Sequence, residues 1–305
     1  YQVGKKDKIA ADKAAVDAMR SELNKIDMNG KVVIGEGSLD QAPMLYTGEF
    51  LGTKKGPDFD IAVDPLEGTN FAANNLPGAI SVIAIADKGN LFNAPETYMN
   101  KVATSKIEKD VVDLDFPLKK NISNLADFKR KDIQSITACI LDRPRHKKII
   151  NELIDLKVKL KLIKDGDVLG ALFVSDPKYG VDIFLGIGGG PEGVLAASAL
   201  DAYNCHFQGR FIFNNDKDIK EAEAMGIKDL DRKYELNEII KGDSIFCATG
   251  ITNSEILNGI TIKDANYTSE TLVTHKSMNL KKIIKKTNSL KEWSLSLVKN
   301  GKNNF

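Results

Sequence analysis

Three oxygen-bearing side chains, Asp64, Glu67 and Thr69, lie within six residues of the chain. They follow the apolar run 61–63, which predicts a short strand. We expect this strand to break at the following Asp-Pro pair, because proline donates no hydrogen bond to a sheet and fixes its own φ. Carboxylate and hydroxyl oxygens at a strand end suit a hard divalent cation such as Mg²⁺. The same residues are typical of a type I turn, so both interpretations stay open at this point.

A second acidic position lies near the start of the chain, in the helix predicted over residues 8–27. The apolar spacing of this helix places Asp12 on the same face as Val16 and Met19. An unpaired buried carboxylate is costly, so Asp12 needs a partner, either Lys8 or a metal ion. The alternative is that Asp12 belongs to a frayed first turn and complements the helix dipole.

Two more carboxylates, Glu36 and Asp40, follow the strand predicted over residues 31–34. Glycines on both sides of Glu36 give the backbone room to turn and let the carboxylate reach a ligand. An ordinary polar turn is the alternative for this stretch. Farther along, we expect an irregular segment at Tyr98 and Met99.

Strand, loop and helix alternate three times between residues 136 and 203, which predicts an α/β fold with a parallel or mixed sheet. In such sheets ligands gather at the loops after the carboxyl ends of the strands. The guanidinium group of arginine can donate paired hydrogen bonds to phosphate, and aspartates can accept hydrogen bonds from sugar hydroxyls. The alternative for both is ordinary surface charge at a loop. The loops contain Arg143 and Arg145, Asp165 and Asp167, and a glycine cluster followed by Glu192.

The glycine cluster has two interpretations. Pro191 suits the first position of a helix, whose free N–H groups attract an anion, and Glu192 in that turn suits a cation. Gly188, Gly190 and Gly193 also match the G-x-G-x-x-G pattern of dinucleotide-binding proteins, which indicates an NAD-binding oxidoreductase as an alternative. That alternative leaves the carboxylates of the first half of the chain unexplained.

Composition excludes several classes of protein. With 42% hydrophobic residues, 28% charged residues and a net charge of +1, the chain is typical of globular proteins and shows no nucleic-acid footprint or attraction to anionic lipid. The longest mostly apolar run, Ala79–Ala86, is too short to span a membrane. The three cysteines fit no disulfide or zinc spacing, so we expect a reducing cytoplasm. The three histidines form no ligand motif, so any metal site is built from oxygen.

Several motifs occur together in this chain: Ile34–Gly37 with Asp40 and Ala42–Met44, then Asp60–Thr69, Asn93–Pro95 with Tyr98 and Met99, and Gly188–Gly193. Together they closely resemble class II fructose-1,6-bisphosphatases of the GlpX type, in the lithium-sensitive, metal-dependent superfamily of sugar and inositol phosphatases. The resemblance implies a layered α-β-α-β-α sandwich with mixed sheets. We divide the chain into an N-terminal α+β metal-binding domain, 1–130, and a C-terminal α/β substrate-binding domain, 131–305.

The resemblance also implies an activity, which is hydrolysis of the 1-phosphate of fructose 1,6-bisphosphate in gluconeogenesis, with Mn²⁺ or Mg²⁺. Sedoheptulose 1,7-bisphosphate is a further candidate substrate, and another sugar or inositol phosphatase is the alternative within the superfamily. We expect a cytoplasmic homo-oligomer, a dimer or tetramer, that binds no nucleic acid and no membrane.

Carried over by motif, one metal ion is held by Asp12 and Glu36, and a second by Asp64, Glu67 and Glu192. The resemblance assigns catalysis to Thr69, which activates the attacking water, with support from Asp40. Substrate contacts are expected from Lys8, Glu67, Gly68, Thr69, Tyr98, Arg143, Pro144, Arg145, Asp165, Gly166, Asp167 and Gly189. Relatives often have Arg at position 70, where this chain has Asn70, so a substrate contact there stays open.

Overall fold

Two sheets and three layers of helices make up the structure, a computed structural model that describes residues 2–36 and 45–291. The layers alternate as α-β-α-β-α. The expected layered α/β sandwich with mixed sheets is therefore confirmed. No helix within these two ranges is both long and apolar enough to cross a membrane.

The strands follow one another along the chain as β1 (Asn29–Ile34), β2 (Phe50–Leu51), β3 (Asp58–Glu67), β4 (Ile80–Asp87), β5 (Tyr98–Thr104), β6 (Thr137–Leu141), β7 (Lys159–Ile163), β8 (Ile183–Gly189), β9 (His206–Ile212), β10 (Lys233–Glu235), β11 (Ser244–Gly250), β12 (Thr261–Lys263), β13 (Asn266–His275) and β14 (Leu280–Ser289). The first sheet has the order β12-β13-β11-β4-β3-β1-β2, and β14 pairs with β13. The second has the order β10-β9-β5-β8-β6-β7, in which β7, β6 and β8 are parallel.

The helices are α1 (Lys8–Leu23), α2 (Thr69–Ala73), α3 (Leu118–Lys129), α4 (Lys147–Asp155), α5 (Asp167–Leu172), α6 (Gly190–Asp201), α7 (Asp216–Ala224) and α8 (Leu236–Ile239). Helix α6 contacts β3, β4 and β11 of the first sheet and β5, β8 and β9 of the second, so it lies between the sheets. Helix α1 packs on the outer face of the first sheet together with α2, and α3 and α4 cover the outer face of the second.

Side-chain alternation along β3 explains this layering. Ile61 and Val63 pack with Val16 of α1, whereas Ala62 points to the opposite face and joins the central core. Helix α6 is buried along most of its length, which is why its sequence has no continuous polar face.

The expected strand break at Asp64 and Pro65 is wrong. Strand β3 continues to Glu67, because β4 pairs with it on both sides of the proline. The expectation of an irregular segment at Tyr98 is also wrong, since β5 begins there and pairs with both β8 and β9.

The division of the chain at residue 130 does not coincide with the division between the sheets. Strand β5 lies in the second sheet although it precedes this point, and β11 to β14 complete the first sheet although they follow it. The two domains stay a prediction.

Candidate active site

A bulge at the end of β3 positions the Asp64 and Glu67 side chains. Asp64 is opposite Val82 and Glu67 is opposite Ile80, so β3 has one more residue than β4 between these pairs. Pro65 lies inside this irregularity, where a residue without an N–H donor is tolerated. The Leu66 N–H donates to Asp64 Oδ1 at 3.0 Å, which fixes the carboxylate at the bulge. The two carboxylates are therefore positioned by a bulge within the strand rather than by a turn after it.

Gly68 ends the strand and allows α2 to begin with Thr69. Its φ of 80° lies in the left-handed region, which L side chains rarely adopt. The sharp change of direction places the partly buried Thr69 close to the carboxylates at the end of β3. Glu67, which is 5% exposed, accepts a hydrogen bond at Oε1 from the Val168 N–H at 2.7 Å.

Two further acidic residues, Glu36 after β1 and Asp12 of α1, lie close to each other near this strand end. Glu36 follows β1, and its N–H donates to the Leu45 carbonyl oxygen at 2.8 Å. Asp12 is half-buried in α1 and close enough to raise the pKa of Glu36 by charge. The inward orientation expected for Asp12 therefore agrees with its burial.

The glycines at the end of β8 provide space for two carboxylates. A Cβ atom on Gly188 would lie 2.0 Å from Asp167 Oδ2, and one on Gly189 would lie 1.7 Å from Glu192 Oε2. Acidic side chains therefore pack directly on the strand backbone, and a larger residue at either glycine would force them to move.

A buried lysine, Lys101 of β5, lies behind this strand end and was not predicted from the sequence. Its ammonium group forms an ion pair with Asp167 and donates to the Gly189 carbonyl oxygen at 2.8 Å. It is 1% exposed and shares a buried strand face with Met99 and Ala103. A charged residue on such a face is a sequence signal, but only once the strand has been recognised.

Burial raises the pKa of the carboxylates, and their mutual repulsion adds to this effect. The pKa of Glu36 rises to about 7 through burial and then through the charges of Asp12 and Glu192. Burial, followed by the charges of Glu67, Glu192 and Glu36, holds the pKa of Asp64 well above its usual range. The charge of each of these carboxylates therefore raises the pKa of its acidic neighbours.

Burial also raises the pKa values of Glu67 and Glu192, but a nearby group opposes the rise in each case. Burial raises the pKa of Glu67 to about 8, against the stabilising hydrogen bond from Val168. Burial also raises the pKa of Glu192, while the nearby charge of Lys101 lowers it. The lysine therefore offsets part of the negative charge in the site.

A cavity of about 580 Å³ lies above these groups, at the carboxyl ends of the parallel strands. It adjoins a second cavity of about 440 Å³ and shares the three carboxylates Glu36, Asp64 and Glu192 with it. The larger cavity is lined by Glu36, Asp64, Leu66, Glu67, Gly68, Thr69, Tyr98, Leu141, Arg143, Arg145, Asp165, Gly166, Asp167, Gly188, Gly189 and Glu192. The structure thus brings most of the predicted site residues to one cavity.

Two arginines lie in the loop after β6 and line the same cavity. An Arg143 Nη nitrogen is 3.5 Å from the Asp165 carboxylate, and the Arg145 guanidinium carbon is 5.1 Å from the centre of the Tyr98 ring. Arg145 Nε also donates to the Ile187 carbonyl oxygen at 2.8 Å. The loop therefore supplies two positive groups to a cavity that is otherwise rich in carboxylates.

Three predicted residues do not line the larger cavity, and a fourth lies outside the described part of the chain. Lys8 and Pro144 are exposed and do not line it. Asp40 lies outside the described residues. Asp12 does not line either cavity but adjoins Glu36, as its effect on the pKa of that residue indicates.

The dinucleotide interpretation of the glycine cluster does not fit this geometry. A Cβ on Gly190 would meet the Phe211 ring at 2.9 Å, and one on Gly193 would meet the Met99 sulfur at 2.6 Å. Together with the carboxylates beside Gly188, these contacts explain the glycines by packing, without a dinucleotide.

The carboxylates have the chemistry of a site for a hard cation. In residues 2–36 and 45–291, no three acidic, histidine or cysteine side chains are already gathered as a metal-ligand set. However, Glu36 Oε2 and Glu67 Oε2 are buried and have no hydrogen-bond partner among these residues. Such oxygens are costly unless a proton or cation satisfies them. Oxygen-only donors fit Mg²⁺ or Mn²⁺.

The chain is similar in sequence to known proteins over nearly its whole length. Residues 1–288 match the sequence model of a family described as "Bacterial fructose-1,6-bisphosphatase, glpX-encoded". A protein named D-fructose 1,6-bisphosphatase class 2/sedoheptulose 1,7-bisphosphatase from Prochlorococcus marinus (strain MIT 9515) is 41% identical over 287 residues, which cover 89% of this chain and 86% of that protein. Proteins of the same name from strains AS9601 and MIT 9301 are 40% identical over the same shares.

These matches and the geometry of the cavity agree with the resemblance carried by the motifs. The chain belongs to the glpX-encoded family of bacterial fructose-1,6-bisphosphatases, which are metal-dependent phosphatases.

Proposed function

We propose that this enzyme hydrolyses the 1-phosphate of fructose 1,6-bisphosphate, giving fructose 6-phosphate and inorganic phosphate. The observation that carries the proposal is one cavity that contains both a cluster of buried carboxylates and a pair of arginines. A bisphosphate needs both features, because one phosphate reacts and the other is only bound. The relatives from Prochlorococcus marinus carry this activity in their name.

The carboxylates divide into two groups that would hold divalent cations. Asp12 and Glu36 would hold one, and Asp64, Glu67 and Glu192 a second. When bound, Mn²⁺ or Mg²⁺ neutralises charge on the phosphoryl oxygens and lowers the pKa of a coordinated water. The orphaned oxygens of Glu36 and Glu67 support this assignment.

Thr69 is the residue we propose for orienting the attacking water. It opens α2 directly after Gly68, and it lines the cavity beside Asp64 and Glu67. In the reaction the water oxygen attacks phosphorus, the bond from phosphorus to the sugar oxygen breaks, and the leaving oxygen takes up a proton. Positioning and electrostatic stabilisation supply most of the catalysis in phosphoryl transfer. Asp40 remains our proposal for supporting proton transfer.

Arg143 and Arg145 are proposed to bind the distal phosphate. Their guanidinium groups offer paired donors that match phosphate oxygens. Tyr98, Asp165, Gly166, Asp167 and Gly189 line the same cavity and are proposed to contact the sugar. An inositol monophosphatase would have no distal phosphate for the arginine pair.

Three further points are proposals from the resemblance. Sedoheptulose 1,7-bisphosphate is a second substrate, as the name of the relatives suggests for those proteins. The cytoplasm is the proposed location, which three free cysteines in the described part of the chain support. A homo-oligomer is the proposed assembly.

A comparison of substrates tests the proposal. Initial rates of phosphate release are measured with Mn²⁺ for fructose 1,6-bisphosphate, sedoheptulose 1,7-bisphosphate and inositol 1-phosphate. We expect the two bisphosphates to have the higher kcat/KM. A preference for inositol 1-phosphate would contradict the role of the arginine pair.

A further inference from the structure

His146 is fully buried between the ends of β6 and β8, although it directly follows the exposed loop that contains Arg145. The Ile187 N–H donates to His146 Nε2 at 2.7 Å, and Nδ1 lies 2.7 Å from the Leu141 carbonyl oxygen. Since an amide N–H can only donate, Nε2 is the acceptor and Nδ1 carries the proton. The imidazole is therefore neutral, and both of its nitrogens are used by the backbone of two strands.

The imidazole occupies a place where the two strands separate. The pairing of β6 with β8 ends at Cys139 and Phe184, and the same register continued would set Leu141 opposite Gly186. The imidazole of His146 lies in this gap instead, since a Cβ on Gly186 would be 3.0 Å from its Nε2. The side chain thus connects the two strand ends by its own hydrogen bonds, where a direct bond between the backbones would otherwise form, and it keeps the strand ends apart.

This gap lies next to the loop between β6 and α4, here called the arginine loop because it contains Arg143 and Arg145. Arg145 Nε donates to the carbonyl oxygen of Ile187, whose N–H is bound by His146. Two consecutive loop residues therefore hold both backbone groups of one residue of β8. The loop is fixed relative to β8 at one point, next to the cavity that Arg143 and Arg145 line. His146 itself does not line this cavity.

We propose that His146 is a positioning residue, which holds the arginine loop at the distance from β8 that a distal phosphate requires. The inference rests on the proposed function, in which Arg143 and Arg145 bind that phosphate. The inference goes beyond that function, because it assigns the geometry of the phosphate site to a buried neutral imidazole that touches no substrate. A displacement of about 1 Å in such a loop is enough to lower the rate substantially.

The test compares two substrates that share a reacting phosphate. Fructose 1,6-bisphosphate carries the distal phosphate and fructose 1-phosphate does not. In His146→Phe, which fills the space but makes neither hydrogen bond, we expect KM for the bisphosphate to rise about tenfold or more. We expect kcat/KM for fructose 1-phosphate to stay within about twofold, since no distal phosphate is bound. A merely structural role would lower both activities equally.

His146→Gln is the matched control. Its carboxamide offers one donor and one acceptor, so we expect it to restore most of the affinity for the bisphosphate. If His146→Phe does not fold, His146→Asn carries the same test, because its carboxamide is too short to reach both strands. Equal losses on both substrates, or no loss on either, would overturn the inference. Failure of the proposed function is distinct, because wild-type enzyme would then release no phosphate from the bisphosphate.

Discussion

The Glu67 carboxylate accepts a hydrogen bond from the Val168 N–H at 2.7 Å across 101 residues of sequence. This contact joins the end of β3 in the first sheet to the first turn of α5, which packs on the second sheet. It leaves Glu67 Oε2 buried without a partner among the described residues. One oxygen of Glu67 thus holds the two halves of the site together, while the other is available to a cation.

The two oxygens of Glu67 can be separated by mutation. In Glu67→Gln the carbonyl oxygen still accepts the Val168 hydrogen bond, but the buried negative charge is lost. We expect activity to fall at least about a hundredfold, because a ligand charge is missing. Thermal unfolding of the metal-free variant at pH 8 should occur at the wild-type temperature or above it, because the site has one buried carboxylate fewer.

Glu67→Ala is the comparison for this variant. It removes the hydrogen bond as well and leaves the Val168 N–H unpaired, so we expect a loss of about 1–3 kcal/mol in the free energy of unfolding. Calorimetry of both variants without metal checks that Glu67→Ala is less stable than Glu67→Gln. Near-normal turnover in Glu67→Gln would remove this residue from the proposed ligand set.

The stability of the metal-free protein should decrease as the pH rises from about 5 to 8. The pKa of Glu36 is raised from 4.5 to about 7, and that of Glu67 from 4.5 to about 8, so the folded protein binds more protons than the unfolded chain in this window. Stability falls with pH wherever the folded state binds more protons. Thermal midpoints in EDTA at pH 5.5, 6.5 and 8 measure this slope.

Excess Mn²⁺ should reverse this trend, because cations compete with protons for the same carboxylates and stabilise the folded state most at high pH. Glu36→Gln removes one titrating group and should flatten the slope in EDTA. A midpoint in EDTA that rises over this range would show that the carboxylates do not have raised pKa values.

Removing the charge of Lys101 should damage both stability and activity. Lys101→Met leaves Asp167 buried without its cation, and breaking a buried ion pair costs about 3–5 kcal/mol. Turnover should fall further than stability explains, because Asp167 and the Gly189 carbonyl lose the group that positions them. Chemical denaturation and steady-state kinetics measure the two effects.

Lys159→Met, on the exposed edge strand β7, is the matched control and should change neither property. The double variant Lys101→Met/Asp167→Asn removes both charges and should recover part of the stability but none of the activity. Full activity in Lys101→Met would show that the lysine is dispensable for the site.

The hydroxyl of Thr69 should be essential to turnover but not to metal binding. Thr69→Ala removes the group proposed to orient water, and we expect kcat to fall about a hundredfold or more. Mn²⁺ affinity, measured by titration calorimetry, should stay the same, because the carboxylates are unchanged. Thr69→Ser keeps the hydroxyl and should retain most of the activity. Normal turnover in the alanine variant would exclude this role.

Much of the site could be predicted from the sequence because its ligands are close together in the chain. Asp64, Glu67 and Thr69 lie within one short segment, and the glycines before Glu192 are a local signal. The bulge at Pro65 could not be predicted, because the register of β3 is set by its pairing with β4 rather than by local turn preference.

Partners that are distant in sequence account for the rest. Strand β5 contains Lys101, which makes its pattern look irregular, and the Asp167 that compensates this charge lies 66 residues away. His146 resembles an ordinary loop residue in the sequence, but it is buried because β6 and β8 separate at that point. Neither role is visible before the topology is known.

The central claim is that the buried carboxylates and the arginine pair form one site for metal-dependent bisphosphate hydrolysis. Its most direct test is phosphate release from fructose 1,6-bisphosphate by the purified protein with Mn²⁺, with Mg²⁺ and with EDTA, with fructose 6-phosphate measured in parallel. We predict equal amounts of phosphate and fructose 6-phosphate with metal, none with EDTA, and recovery when metal is restored. Undiminished release in EDTA, or no release with either metal, would contradict the account.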